Sequence, residues 1–123
     1  MRILIADDQP NVRSALRLLL EQVSNLEIVG EVADAASLLL LLATKQPDLL
    51  LLDWELPGLP ADHLMRLLRF EQPHLQVLAM SSRPEAQQEA EFAGANGFMS
   101  KGDPPETVFT TLAWLSSSGV NKG

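Results

Sequence analysis

The sequence predicts an α/β fold, with a single five-stranded parallel sheet covered by helices on both faces. Three observations predict it. Leu49-Leu50-Leu51-Leu52 is a short apolar run between Asp48 and Asp53, stopped by Pro57-Gly58. Its length and its stop suit a strand buried on both faces, the usual condition in a parallel sheet. Five such strand segments alternate along the chain with five segments of helical spacing. The connections are short, which favours right-handed crossovers.

Arg2 to Asp7 makes the first strand, apolar through Ile3-Leu4-Ile5-Ala6 and closed by Asp7-Asp8. Pro10 opens the first helix, where its missing N–H costs nothing. Val12, Leu16, Leu19 and Leu20 carry the helical spacing to about Gln22. Leu26 to Val32 holds β-formers in partial alternation and reads as a second strand. Its polar residues place it at or near a sheet edge. Asp34 can cap a helix that runs to Lys45. That helix contains Leu38 to Leu42, and one buried stripe needs only some of these, so Leu40 and Leu41 are expected to face outward. Exposed leucines of this kind are either a plain greasy surface or a partner contact.

After the central strand, Pro60 and Asp62 lie near the start of a third helix, with Leu64, Leu67 and Leu68 as its apolar stripe. His63 reads as a solvated helix residue and His74 as loop. Leu75 to Ser81 is the fourth strand. Pro84 starts a short fourth helix, which Gly94 can end in a left-handed conformation. The polar sequence from Glu85 to Glu91 predicts weak docking and mobility there. Ala95 to Ser100 is the fifth strand, followed directly by Lys101. The last helix begins in Asp103-Pro104-Pro105-Glu106, with Val108, Thr111, Leu112 and Leu115 inward and Trp114 outside. Ser116 to Gly119 reads as a tail or the start of a linker. The expected domain is therefore 1–116, with 117–123 beyond it.

Composition narrows the function. A chain of 123 residues buries one core. Its net charge of −7 argues against this domain gripping nucleic acid phosphates. There is no cysteine, hence no disulfide or thiolate chemistry. The longest apolar run, Leu38 to Ala43, is too short to span a membrane. A strand pattern within two residues of Met1 leaves no room for a signal peptide, so a cytoplasmic location is expected.

The chemistry gathers at the carboxyl ends of the strands, where open α/β sheets place their ligands. Asp7, Asp8, Asp53, Ser81 and Lys101 each fall at or just past a strand end. Like charges placed together are unfavourable unless a cation joins them, and an oxygen-rich hard site suits Mg²⁺. Paired carboxylates also serve glycosidases, but those need no lysine and hydroxyl beside them. A carboxylate nucleophile, a divalent cation, an amine and a hydroxyl donor suit phosphoryl transfer.

These motifs resemble the receiver domains of two-component response regulators. The resemblance covers residues 2 to 116. It rests on Asp7-Asp8, on Pro47-Asp48-(apolar)4-Asp53-x-x-x-Pro57-Gly58, on Ser81, and on Phe98-Met99-Ser100-Lys101. Asp7-Asp8-Gln9-Pro10 and Ile28-Val29-Gly30-Glu31 resemble the nitrate-regulator and LuxR-like subfamily. The resemblance implies a flavodoxin-like (βα)5 fold with strand order 2-1-3-4-5. It implies Asp53 as phosphoacceptor, and Mg²⁺ held by Asp8, Asp53 and the Glu55 backbone carbonyl, with Asp7 acting through a water. Ser81 and Lys101 would hold phosphoryl oxygens, and Ser81 and Phe98 would form the switch. A histidine kinase is the implied donor, a helix-turn-helix output domain beyond the chain end is implied, and a homodimer is allowed.

The implied activity is Mg²⁺-dependent self-phosphorylation and autodephosphorylation, not turnover of a separate substrate. The alternative is a phosphorylation-independent module acting through protein contacts alone, against which the complete acidic set argues. A small phosphatase lacks support, having no second nucleophile and no placed general acid. Two positions depart from the family pattern. Ala61 stands where glycine is frequent, and Gly102 follows Lys101 where many receivers have a cis proline. Glu55 and Arg83 follow strand ends, so their charges can pair across the mouth of the site.

Overall fold

The computed structural model describes residues 1–122, without the side chains of Pro105 and 116–122. The leucine run is β3 (Leu49–Asp53), and each of its residues is buried. Around it lie β1 (Arg2–Ala6), β2 (Glu27–Val32), β4 (Gln76–Ser81) and β5 (Gly97–Ser100). All neighbours pair in parallel, in the order β2-β1-β3-β4-β5. The helices are α1 (Pro10–Leu20), α2 (Ala35–Lys45), α3 (Ala61–Glu71), α4 (Ala86–Phe92) and α5 (Pro105–Lys122).

Successive strand residues point to opposite faces, and this splits the apolar set in two. Leu4, Leu50, Leu52, Val77 and Ala79 pack with α2, α3 and α4 on one face. Ile3, Ile5, Leu49, Leu51, Leu78 and Met80 pack with α1 and α5 on the other. β2 is an edge strand, and Val32 is its one buried residue.

Local signals set the element ends. Asp34 caps α2 by accepting from the Ser37 N–H at 2.8 Å. Gly94, at φ +100°, closes α4: the Gly94 N–H donates to the Glu91 carbonyl at 3.1 Å and the Ala95 N–H to that of Ala90 at 2.9 Å. These two bonds make a Schellman ending. Gly58, at φ +115°, lets the β3–α3 turn lie against α2, where a Cβ would come 3.3 Å from the Ala35 backbone nitrogen. Ala61 has no positive φ and simply begins α3, and the Lys101–Gly102 bond is trans.

Four expectations need revision. Leu40 is 75 % exposed as expected, but Leu41 is half-buried and packs on the core. The reason is Gly30 in β2, where any Cβ would sit 2.5 Å from Leu41 Cδ2, so the missing side chain makes room for the leucine. In α3 the third fully buried residue is Met65, and Leu67 is only half-buried. Thr111 is likewise half-buried beside the fully buried Val108, Leu112 and Leu115, while Trp114 is 60 % exposed. The backbone of α5 continues to Lys122, through the Ser116–Gly119 stretch expected to be tail. Serine tolerates helix, and a single interior glycine costs only about 1 kcal/mol.

The amino-terminal edge of the sheet is clamped. Arg69 from α3 donates to the carbonyls of Leu75 at 2.5 Å and Gly94 at 2.9 Å, and to Asn96 Oδ1 at 2.6 Å. Asn96 Oδ1 also accepts from the Val77 N–H at 2.8 Å. At the opposite edge the parallel strands deliver their functional residues together: Asp7 after β1, Asp53 ending β3, Ser81 ending β4 and Lys101 after β5.

Candidate phosphoacceptor site

Asp53 is 2 % exposed at the end of β3. Its Oδ1 accepts from the Glu55 N–H at 3.0 Å and lies 3.3 Å from Lys101 Nζ. Asp7 is fully buried; its Oδ1 accepts from the Gln9 N–H at 2.9 Å, and its Oδ2 lies 2.8 Å from Lys101 Nζ. Among the described residues that ion pair is the partner of the buried Asp7 Oδ2. Lys101 Nζ also donates to Gln9 Oε1 at 3.1 Å. Asp8 is exposed at the rim.

Charge and burial compete here. Burial pushes Asp53 up to about 6; the Glu55 N–H opposes this, the neighbouring Asp7 charge adds to it, and Lys101 opposes it. Burial acts to lower Lys101, but contact with Asp7 and Asp53 outweighs it and holds the ammonium above its ordinary value. One oxygen each from Asp7, Asp8 and Asp53 lies within 4.8 Å of the others. An all-oxygen set of few carboxylate ligands fits a hard divalent cation that keeps several waters.

Beyond the cluster, the Ser81 hydroxyl is buried and donates to Glu55 Oε1 at 2.8 Å. Arg83 donates from Nε to Glu55 Oε2 at 3.1 Å and lies 3.0 Å away through Nη2, so the expected charges do meet. The same Nη2 reaches Glu89 Oε1 of α4 at 3.0 Å, and that oxygen accepts from Trp54 Nε1 at 3.1 Å. Glu89, then Glu55, hold Arg83 above its ordinary value, and Arg83, then Trp54, hold Glu89 below its own. Phe98 is half-buried and packs against the core face that carries α4.

Sequence reasoning missed Gln9, Trp54 and Glu89. Gln9 and Trp54 adjoin the acidic motifs and were open to suspicion. Glu89 sits in a polar helix and carries no local signal.

The strand order and the carboxylate-lysine edge define a flavodoxin-like domain built around an acidic centre. The chain belongs to the response regulator receiver domain family, whose family model matches residues 3–113. It is 33 % identical over 117 residues to the Fimbriae Z protein of Salmonella typhimurium, covering 94 % of this chain and 56 % of that one. The chain spans about half the length of the curated relatives it matches. A LuxR-family response regulator from Aurantimonas sp. is similar at TM-score 0.87 and 27 % identity, over 95 % of this chain and 85 % of that one. The isolated REC domain of RcsB from Salmonella enterica serovar Typhimurium, solved with phosphomimetic BeF₃⁻, is similar at TM-score 0.89 and 25 % identity, over 95 % and 88 %. The family is a receiver family, not a catalytic one in general.

Proposed function

We propose that Asp53 accepts a phosphoryl group from a phosphohistidine of a histidine kinase. A carboxylate oxygen of Asp53 attacks phosphorus, the phosphorus–nitrogen bond breaks, and the electron pair stays on the imidazole, which takes up a proton. Mg²⁺, held by Asp8, Asp53 and the Glu55 backbone carbonyl with Asp7 acting through water, would offset charge on the transferring group. Lys101 supplies a fixed cation for a phosphoryl oxygen, and its place between Asp7 and Asp53 is the observation that carries the reading. Ser81 gives a hydroxyl to a second oxygen, and Phe98 on the α4 side turns the local change into a change of surface.

The same reading makes residues 1–116 the receiver domain and 117–123, which α5 carries as helix through Lys122, the tail or start of a linker, with a helix-turn-helix output domain beyond and a homodimer as the state to look for. It assigns Mg²⁺-dependent self-phosphorylation and autodephosphorylation, not turnover of a separate substrate, and a cytoplasmic setting. Among the described residues, no helix is long and apolar enough to cross a membrane. Incubation with Mg²⁺ and acetyl phosphate, followed by peptide mass spectrometry, tests it. One adduct at Asp53, absent in Asp53→Asn, is expected; an adduct that survives that change overturns the assignment.

A further inference from the structure

Ser81 cannot serve a phosphoryl group and Glu55 with the same proton. Its hydroxyl donates to Glu55 Oε1 at 2.8 Å, while its oxygen accepts from the Arg83 N–H at 3.0 Å. The bond to Glu55 is a charge-assisted one and must be given up before Ser81 can turn to a phosphoryl oxygen. What holds Glu55 in place is Arg83, and what holds Arg83 is the acidic face of α4 and the loop before it. Arg83 Nη2 lies 3.0 Å from Glu89 Oε1, and Arg83 Nη1 lies 3.3 Å from Glu85 Oε1. Glu89 is in turn fixed by the indole N–H of Trp54, a 5 % exposed residue directly after the phosphoacceptor. The contacts form one unbroken path from the switch hydroxyl to α4 and back to β3.

We infer that Glu89 is a positioning residue of the phosphoryl site, acting through Arg83 and Glu55 to hold the Ser81 hydroxyl away from Asp53. This rests on the proposed phosphoacceptor role. The path also gives α4 a direct stake in the site, apart from Phe98. Any event that moves α4 changes the grip on Arg83, and by linkage the affinity of the site for a phosphoryl oxygen. The helix is suited to this, since its buried residues are the small side chains of Ala86 and Ala90.

The ion pairs of Arg83 are 41–48 % exposed on the sides of Arg83, Glu55 and Glu89, so the effect of any one of them is modest. The test is an equilibrium titration with beryllofluoride at saturating Mg²⁺, using wild type, Glu55→Ala, Arg83→Ala and Glu89→Ala. Each is measured both with Ser81 and in the Ser81→Ala background. With Ser81 present, Glu89→Ala is expected to tighten binding about two- to threefold. Glu55→Ala, which frees the hydroxyl outright, is expected to tighten it about three- to tenfold. In the Ser81→Ala background these gains should vanish, because no hydroxyl is left to release.

Gains that persist without Ser81 would mean that the carboxylates act only by repelling the anion, and would overturn the inference. Unchanged affinity in Glu89→Ala would overturn it as well. A wild type that does not bind beryllofluoride would instead sink the phosphoacceptor reading. Urea melts of each variant without ligand report folding separately from binding.

Discussion

Asp53→Asn should make the metal-free domain more stable, not less. Burial lifts Asp53 from 3.8 to about 6, a rise of about two pH units, worth about 3 kcal/mol at 1.36 kcal/mol per unit. The sign follows from linkage. The folded chain holds this proton more tightly than the unfolded chain does. The stabilising contribution is therefore full below about pH 4 and is lost as pH rises through about 6. At pH 7.5 the folded wild type carries a buried anion that asparagine lacks. Asparagine Oδ1 can still accept the Glu55 N–H, and Lys101 keeps Asp7 at 2.8 Å. The assay is urea unfolding in EDTA at pH 7.5 and pH 4.5. The variant is expected to be more stable by about 2–3 kcal/mol at pH 7.5, a midpoint shift of roughly 1 M or more. The gap should narrow at pH 4.5. A variant less stable than wild type at pH 7.5, or a gap equal at both pH values, refutes the reasoning.

Millimolar Mg²⁺ should raise the melting temperature of wild type, because the unfolded chain does not hold the carboxylates together, and Asp8→Ala should lose that shift; a shift of equal size in the variant removes Asp8 from the site. The Glu55–Arg83 pair should obstruct water on its way to the aspartyl phosphate, so Glu55→Ala or Arg83→Ala should each speed dephosphorylation severalfold and the double variant should add little. Phosphate release from purified phosphoprotein decides this, and simple additivity counts against the pairing. Gly58→Ala meets both a left-handed φ and the Ala35 backbone, so it should cost about 2 kcal/mol in a denaturant titration; a loss under about 0.5 kcal/mol, the size of a neutral surface change, contradicts it.

How far the sequence can be read depends on the range of the force involved. Strand identity, helix caps and the carboxyl-edge cluster were legible because each rests on neighbours in the chain or on the geometry of a parallel sheet. Leu49 to Leu52 and Asp34 are examples. Leu41 was not, because its burial depends on Gly30 of the edge strand β2, and sequence spacing does not show which glycine lies beneath which leucine. Met65 was missed because the buried face of α3 is rotated toward it, away from Leu67, relative to the Leu64-Leu67-Leu68 stripe. The end of α5 misled because serine and glycine favour loops only weakly and here continue a helix already under way. Of the site, Asp53, Asp7, Asp8, Ser81 and Lys101 converge as their strand-end positions required. Glu89 enters only through the side chains of Arg83 and Trp54.

The Arg69 clamp has a consequence for how this domain tolerates change. It ties the starts of β4 and β5 together at one edge, while the acidic centre occupies the other edge, separated by strands of four to six residues. At about 3.3 Å per residue that is roughly 13–20 Å, beyond the range over which side chains usually couple. Durability and chemistry therefore have separate addresses on the same sheet. Substitutions that strengthen the Leu75 and Asn96 contacts should add to changes at the acidic edge, whereas the Gly94 contact holds the end of α4 and so shares a helix with Glu89. The signalling chemistry can then be retuned in a scaffold whose robustness is adjusted independently.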